Sequence, residues 1–284
     1  MNDTSLQIDP ALVGSARVRI LSTPLTRNAA RVVTHLFPSL LTSTCCSYAG
    51  VVDFSISGIR IKYALGPNDP IGETLYWTGA NRWEREVIPL FCDMARRADG
   101  LFLDVGANCG LYSILACAGN PKLRAIAWEP TDIRGRAGLN VKVNDLSERI
   151  EIRPAAVGRE SGTATFFLHK DPTMGGFTDR SEEGKRIEVD LECLDAVIPP
   201  GVKVGLVKID VEGHEREVFA GMRRVLTDSH PTVFFECLKP SEWGDSYELL
   251  RDSGYRVFAL TRDGAIETSA HRQGTTNYLA QSAR

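Results

Sequence analysis

The spacing of apolar residues along the chain changes period twice. From Val51 the apolar and polar residues alternate, and the segment VVDFSISGIRIKYAL predicts a β-hairpin that turns at Ser57 and Gly58. Residues 81–97 carry apolar side chains at helical spacing, which predicts a helix kinked at Pro89. After Gly100, short apolar runs alternate with amphipathic segments, which predicts a series of strands and helices.

The predicted strands of this series are short and rich in β-branched or aromatic residues, and they cover 101–105, 124–129, 150–153, 204–210, 232–237, 255–260 and 277–280. The predicted helices run from the turn after the first strand through residue 118, and over 131–144, 212–226 and 242–253. Two further β-like segments, 163–168 and 186–191, interrupt the alternation. This order is typical of an α/β fold with a mostly parallel sheet and helices on both faces. Because ligands bind at the carboxyl ends of such strands, we expect the chemistry at Asp104, Glu129, Asp210 and Glu236.

Ahead of this region the pattern is weaker. We expect residues 1–80 to form an N-terminal extension that contains the hairpin, and residues 81–284 to form the main domain. Residues 29–43 have apolar side chains at roughly helical spacing, which predicts a packed helix; a helix at a membrane surface is the alternative.

Charge and cysteine content limit the function classes. The chain has 33 Lys and Arg against 36 Asp and Glu, so its net charge of −3 gives no electrostatic attraction to nucleic acid. None of the seven cysteines forms a C-x-x-C pair, which disfavours structural zinc and suggests buried thiols of a reduced compartment. The sequence has no signal-peptide pattern and no apolar run of the ~20 residues that a membrane span needs, so we expect a cytoplasmic protein without stable membrane insertion.

A glycine-containing turn follows the first strand of the series, DVGANCG from Asp104 to Gly110. Gly106 and Gly110 would let the backbone turn sharply and approach a ligand. Glu129 ends the next strand, where a carboxylate can accept hydrogen bonds from both hydroxyls of a ribose. Asp104 can hold a positively charged group.

Two nucleoside ligands fit such a turn. A dinucleotide needs the pattern G-x-G-x-x-G because the second glycine lets the pyrophosphate come close, and Asn108 stands at that position. S-adenosylmethionine (SAM) has no phosphate but carries an ammonium and a sulfonium group, which favour an acidic site. The sequence therefore favours SAM over NAD.

Five segments in order resemble the FkbM family of methyltransferases: FLDVGANCGLYSILA, WEPTDIRGRAGLNVKVND, RPAAVGRESGTATF, VDLECLDAVI, and VGLVKIDVEGHEREVFAGMRRVL followed by PTVFFE. The K-I-D-V-E-G-H-E block is the most specific of them. The resemblance spans residues 83–280. It implies a Rossmann-like class I methyltransferase fold, with seven strands of which the last is antiparallel, and O-methylation of a sugar or natural-product hydroxyl with S-adenosylhomocysteine as the by-product.

The resemblance also implies roles for individual residues. Asp104, Gly106, Asn108 and Gly110 would hold the methionine part of SAM, and Glu129 the ribose. Ala155 and Ala156 fall where the adenine ring would lie. Trp83 and Glu84 match an aromatic-Glu pair ahead of the glycine turn and are candidates for the cofactor pocket.

Candidate catalytic residues cluster at the end of the fourth strand of the series, where Lys208, Asp210, Glu212 and His214 lie. An alcohol is a poor nucleophile until its proton is being removed, so a general base would help. Asp210 has the better position, although a strand-end Asp often caps a helix instead. His214 is the other candidate base, and a surface histidine is its structural alternative. We expect Lys208 to pair with a carboxylate.

Other functions stay open at this point. Asp210, Glu236 and His214 are weak candidates for binding a divalent metal, which would lower the pKa of a hydroxyl. The polar segment 169–185 is either a loop that closes over the acceptor or an ordinary exposed loop. An NAD(P)-dependent oxidoreductase and a non-catalytic SAM-binding protein are the alternative functions. The expected partner is a small-molecule hydroxyl acceptor, and the oligomeric state is open, with a dimer as one option.

Overall fold

The computed structural model describes residues 49–66, 69–79, 83–169, 175–177 and 185–283. The helix predicted at 29–43 and most of the segment 169–185 lie outside the described residues. The chain divides into two compact units, Met1–Glu84 and Arg85–Arg284.

The first unit contains a β-hairpin and a helix. Strands β1 (Gly50–Ile56) and β2 (Ile59–Leu65) pair antiparallel, from Gly50 opposite Leu65 to Ile56 opposite Ile59. The connecting residues Ser57 and Gly58 both have positive φ, 49° and 77°, as a tight two-residue hairpin turn requires. Helix α1 (Pro70–Thr78) follows. This helix was not predicted from the sequence. Asp69 caps it by accepting a 2.9 Å hydrogen bond from Gly72 N.

The second unit contains seven helices and eleven strands among the described residues. The helices are α2 (Ile88–Arg97), α3 (Leu111–Gly119), α4 (Arg134–Val143), α5 (Leu194–Val197), α6 (Glu215–Ala220), α7 (Arg223–Ser229) and α8 (Pro240–Asp252). The strands are β3 (Leu101–Val105), β4 (Arg124–Trp128), β5 (Ile150–Arg153), β6 (Ala155–Val157), β7 (Gly162–Leu168), β8 (Lys185–Glu192), β9 (Val204–Ile209), β10 (Thr232–Glu236), β11 (Tyr255–Thr261), β12 (Gly264–Glu267) and β13 (Asn277–Ser282).

An eight-stranded sheet in the order β12-β11-β13-β10-β9-β3-β4-β5 organises this unit. Strands β10, β9, β3, β4 and β5 are parallel, and β13 runs antiparallel between β10 and β11. The seven expected strands, including the antiparallel last one, are therefore present in a Rossmann-like arrangement. The eighth, β12, was not predicted; it is an edge strand that turns back on β11 through Arg262 and Asp263, with Thr261 opposite Gly264.

The two β-like segments that interrupted the alternation form a separate three-stranded sheet. Strand β8 lies in its centre, antiparallel to β7 and parallel to β6. A small cluster of buried side chains, Ala156, Phe166 and Val189, packs on this sheet.

Two helix predictions were wrong in detail. Pro89 does not kink a helix, because α2 begins at Ile88 and proline is tolerated in a first turn, whose N–H groups have no intrahelical acceptor. The helix predicted over 212–226 is two helices, α6 and α7. Glu212 and Gly213 have positive φ, 55° and 98°, and delay the start, while Gly221 ends α6 where a Cβ would lie 2.2 Å from Gly158 O.

The core lies on both faces of the central sheet strands. On one face Leu103, Val207 and Phe235 are at most 1% exposed and pack in one cluster with Phe219 of α6. On the other face Phe102 and Phe234 are at most 1% exposed and lie against Phe91 of α2. This two-sided burial explains the continuous apolar runs of β3, β9 and β10. Among the described residues, no helix is long and apolar enough to cross a bilayer.

Candidate active site

The glycine turn leaves β3 at the carboxyl edge of the sheet and leads into α3. Gly106, Asn108 and Gly110 have φ of 79°, 50° and 77°, so the turn contains three left-handed residues. The N–H groups of Gly106 and Ala107 donate to the carbonyl of Trp128 at 3.0 and 2.9 Å. These bonds hold the turn against the end of β4.

The missing side chain of Gly106 makes room for a close contact within the protein. A Cβ at Gly106 would lie 1.9 Å from the carbonyl oxygen of Asp210, and at Gly110 a Cβ would lie 3.3 Å from Ala137 Cβ. Asp210 N in turn donates to Val105 O at 2.9 Å. Gly106 is predicted to let the backbone approach a ligand, and its missing side chain is also what lets the ends of β3 and β9 lie close together.

Asp104 is a buried carboxylate at the end of β3. Its Oδ2 accepts hydrogen bonds from the Ser113 amide at 3.0 Å and from the Ser113 hydroxyl at 2.6 Å. Burial raises the pKa of Asp104 to about 6, against the opposing effects of the Ser113 hydrogen bonds and of Lys208. The sequence analysis did not identify Ser113 as the partner, because its place one helical turn into α3 gives no signal by itself.

Glu129 follows β4 and joins two loops. Its Oε2 accepts from Asn108 N at 3.0 Å, and its Oε1 accepts from the Thr131 amide at 2.9 Å and the Thr131 hydroxyl at 2.7 Å. The residue is 6% exposed, and burial raises the pKa of its carboxyl. Glu129 therefore fixes the glycine turn relative to the loop that begins α4.

Lys208 and Asp210 form a pair at the end of β9. Lys208 Nζ lies 3.1 Å from Asp210 Oδ2 with a side chain that is 2% exposed, and 5.2 Å from the centre of the Tyr112 ring. Lys208 is also the cross-strand neighbour of Asp104. One buried cation thus stands between two of the carboxylates at this edge, as the sequence analysis expected of Lys208.

Asp210, a member of this pair, also lies close to two further carboxylates. Oxygen atoms of Asp210, Glu212 and Glu236 lie within 4.8 Å of one another. Burial, followed by the nearby charge of Asp210, raises the pKa of Glu236, while Thr276 Oγ1 donates to its Oε1 at 2.8 Å. We refer to Asp210, Glu212 and Glu236 as the carboxylate cluster.

His214 lies apart from the carboxylate cluster in its contacts. Its ring stacks on Phe177 with centroids 4.1 Å apart and an interplanar angle of 32°, and burial lowers its pKa. His214 also precedes α6 as its N-cap residue and makes no side-chain capping bond. Among the described residues, the group that could hold a metal contains Glu212 where the sequence analysis had considered His214.

Glu215 is a buried residue that the sequence analysis did not select. Its Oε1 accepts from Gly213 N at 3.0 Å, whereas its Oε2 has no hydrogen-bond partner, and burial raises its pKa to about 7. The signal was available, since Glu215 ends the K-I-D-V-E-G-H-E block. Its acceptor bond closes the left-handed turn that carries Glu212.

The remaining candidates have structural settings of their own. Ala155 lies in the main core and Ala156 in the small cluster on the second sheet. Trp83 and Glu84 end the first unit, and Glu84 has a positive φ of 40°.

A cleft of about 620 Å³ opens beside the Glu129 loop. Pro130, Thr131 and Pro154 line one side, and Val189 lies on another. His169, Gly175 and Lys185, three of the five described residues of the segment 169–185, also line this cleft.

Comparison with known proteins gives a family match over residues 104–257, to the Methyltransferase FkbM domain. The 31-O-demethyl-FK506 methyltransferase FkbM of Streptomyces tacrolimicus is 25% identical over 205 residues, which are 57% of this chain and 75% of that protein. The hexuronic acid methyltransferase AglP of Haloferax volcanii is 33% identical over 162 residues, 51% of this chain and 59% of that protein. Among solved structures, a methyltransferase FkbM from Methylobacillus flagellatus KT aligns with a TM-score of 0.43 at 15% identity, covering 74% of this chain and 52% of that one.

Proposed function

Because this chain belongs to the FkbM methyltransferase family, we propose that it is a SAM-dependent O-methyltransferase that methylates a hydroxyl of a sugar or natural-product small molecule. The observation that carries the proposal is the order of carboxylates along one edge of the sheet. Glu129 follows β4, Asp104 lies near the end of β3 and Asp210 follows β9, and these three strands are adjacent; Glu129 and Asp104 are buried and Asp210 is partly buried. Neighbouring strands lie about 4.8 Å apart, so Glu129 and Asp210 are about 10 Å apart along the edge, which is room for a nucleoside and its sulfonium.

Glu129 is the candidate ribose ligand. A carboxylate offers about four acceptor positions, and three are used by the Asn108 amide and by the two donors of Thr131. One position is left for a first ribose hydroxyl, and a second hydroxyl would replace that of Thr131. The cleft beside Pro130 and Pro154 offers space for the adenine next to this position.

Asp104 is the candidate partner of the ammonium group of SAM. In the ligand-free protein, burial favours the protonated form of this carboxyl. A cation beside it would favour the ionised form, so that cofactor binding and ionisation of Asp104 would be linked. Asn108 and the two glycines would contribute backbone contacts from the turn.

The residues around the methyl position need to orient the acceptor and remove its proton, because SAM when bound supplies a methyl group that is already activated by the sulfonium charge. Asp210 is the better candidate base, since its carboxylate lies in the carboxylate cluster at the sheet edge. Lys208 Nζ lies 3.1 Å from Asp210 Oδ2 and would hold this carboxylate in position. Glu236 and Glu212 are near enough to share the proton afterwards. His214, whose pKa is lowered by burial, is the alternative base in its neutral form.

The carboxylate cluster is also the candidate site for a divalent cation. Three oxygen donors suit magnesium, but Lys208 already neutralises part of their charge. Methyl transfer that survives treatment with a chelator would assign the cluster to proton transfer alone.

The experiment is calorimetric titration with S-adenosylhomocysteine of the wild type, of Glu129→Ala and of Glu160→Ala, an exposed carboxylate that serves as the matched control. Loss of two charge-assisted hydrogen bonds at about 1.5–3 kcal/mol each predicts at least a 100-fold weaker Kd for Glu129→Ala. Glu160→Ala should bind like the wild type. A wild type that binds NAD or NADP and not S-adenosylhomocysteine would contradict the proposal, and binding without turnover of any acceptor would support a non-catalytic SAM-binding protein.

A further inference from the structure

A second, larger cleft opens on the other side of the carboxylate cluster. It has a volume of about 970 Å³, within the range of small-molecule sites. It lies where β10 and β11 end and β13 begins, with Leu238, Leu260 and Asn277 in its lining. All three strands meet there at the same edge of the sheet, because β13 runs antiparallel to both of its neighbours.

The wall of this cleft is joined to the carboxylate cluster by a hydrogen bond. Thr276 lines the cleft and donates to Glu236 Oε1 at 2.8 Å, and Asn277 pairs with Glu236 across the sheet. Along the edge the order is therefore Glu129, Asp104, Asp210, Glu236 and then this cleft. A group bound in the cleft would reach the carboxylate cluster from the side opposite the candidate ribose ligand.

The cleft is held by hydrogen bonds that need no ligand. Thr275 Oγ1 donates to Leu260 O at 2.7 Å, and Arg272 N donates to Tyr278 Oη at 3.0 Å. A ring nitrogen of His271 lies 3.2 Å from Cys237 O. The 271–277 segment is therefore fixed at three points, which is the behaviour of a preformed site.

The lining combines amide and hydroxyl groups with a small apolar floor. Gln273, Asn277 and three threonines supply uncharged donors and acceptors, and Leu238 and Leu260 supply apolar surface. Three charged side chains line the cleft, and two of them are paired, since Arg262 Nε lies 3.3 Å from Glu86 Oε1; the third is Asp263. A lining that combines uncharged polar groups with apolar surface suits a pyranose ring, which presents both hydroxyls and C–H faces.

We propose that this cleft is the acceptor site and that it takes a polyhydroxylated, sugar-type molecule. The inference rests on the proposed function and goes beyond it, since it selects a sugar-type acceptor over an apolar natural product and names its binding residues. Gln273 and Asn277 would bind hydroxyls of the ring. Thr276 would couple occupancy of the cleft to the position of Glu236.

The test is an amide NMR titration of the full chain saturated with S-adenosylhomocysteine. The probes are the methyl pyranosides of glucose, galactose, mannose and glucuronic acid, and a macrolide alcohol as the apolar probe. We expect at least one pyranoside to shift the amides of residues 271–277. Gln273→Trp places a bulky side chain in the cleft from an exposed loop position, and should weaken that binding at least tenfold while the Kd for S-adenosylhomocysteine changes less than twofold. Leu139→Trp, at an exposed position of α4, is the matched control and should bind both ligands like the wild type.

The amide shifts need no variant, so the proposal stays testable even if a substitution affects folding. Asn277→Ala provides a second variant, with a smaller expected loss of about fivefold for one hydroxyl contact. The inference is overturned if no pyranoside binds, if the shifts map to residues 130–134 and 185–190 instead, or if the macrolide alcohol alone binds. Failure of the wild type to bind S-adenosylhomocysteine would instead contradict the proposed function.

Discussion

Replacement of Gly106 by alanine should disturb the contact between the ends of β3 and β9. The new Cβ would lie 1.9 Å from the carbonyl oxygen of Asp210, so that residue or the turn must move by more than 1 Å to reach even a tight contact of 3.0 Å. The movement would strain the 2.9 Å bond from Asp210 N to Val105 O. It would also displace a residue of the carboxylate cluster.

The cost has two parts that can be separated. An alanine at φ of +79° costs about 1–2 kcal/mol for the left-handed conformation alone. Forcing an extra carbon into a packed contact adds about 1–3 kcal/mol. The expected loss of unfolding free energy for Gly106→Ala is therefore about 2–5 kcal/mol.

The chain offers a control that isolates the second part. Gly201 has φ of +82°, and a Cβ there would meet nothing within 4 Å. Gly201→Ala should therefore lose only about 1–2 kcal/mol. Urea unfolding of both variants, followed by tryptophan fluorescence, measures the difference, and calorimetry with S-adenosylhomocysteine should show weaker binding for Gly106→Ala only.

Equal losses in the two variants would refute this reasoning. They would mean that the ends of β3 and β9 can move apart without loss of unfolding free energy, so that Gly106 is needed for its backbone conformation alone. Unchanged stability together with lost binding would restore the original interpretation, in which the glycine makes room for a ligand.

Three further outcomes are expected. Lys208→Met removes the buried cation that pairs with the partly buried Asp210 and acts on the buried Asp104, and should cost about 3–5 kcal/mol in urea unfolding, because these carboxylates lose their counter-charge. Glu215 has a folded-state pKa of about 7, above its ordinary 4.5, so its carboxyl ionises more readily in the unfolded chain. The free energy of unfolding should therefore fall by about 3 kcal/mol as the pH rises from 4.5 to 7. In Glu215→Gln this part of the pH dependence should disappear when unfolding is compared at pH 5 and pH 8. Asn140→Ala removes a fully buried amide that donates to Cys109 O in the glycine turn at 3.0 Å, and should lower the unfolding free energy by about 1–3 kcal/mol in the same assay. A loss below about 0.5 kcal/mol would mean that the glycine turn does not depend on this hydrogen bond.

The series of strands, the turn at Gly106 and the carboxylates at strand ends could all be predicted from the sequence. These features depend on residues that are close in the chain: the apolar runs of β3, β9 and β10 reflect burial on both faces of a sheet, and the turn requires left-handed residues at fixed spacing. The edge strand β12 was not predicted, because its residues are mostly exposed and its apolar and polar residues do not alternate.

Only the tertiary structure decided which of these side chains meet. Glu236 joins Asp210 and Glu212 because β10 lies beside β9, whereas His214 turns to Phe177, and the split between α6 and α7 follows from the contact of Gly221 with Gly158. Each of these contacts joins residues that are distant in the chain. His214, moreover, precedes the helix in which it was expected to lie. Local periodicity records the conformation and burial of a segment, but strand order and close backbone contacts are set by the packing of the whole sheet, and these decide where a carboxylate finds its partners.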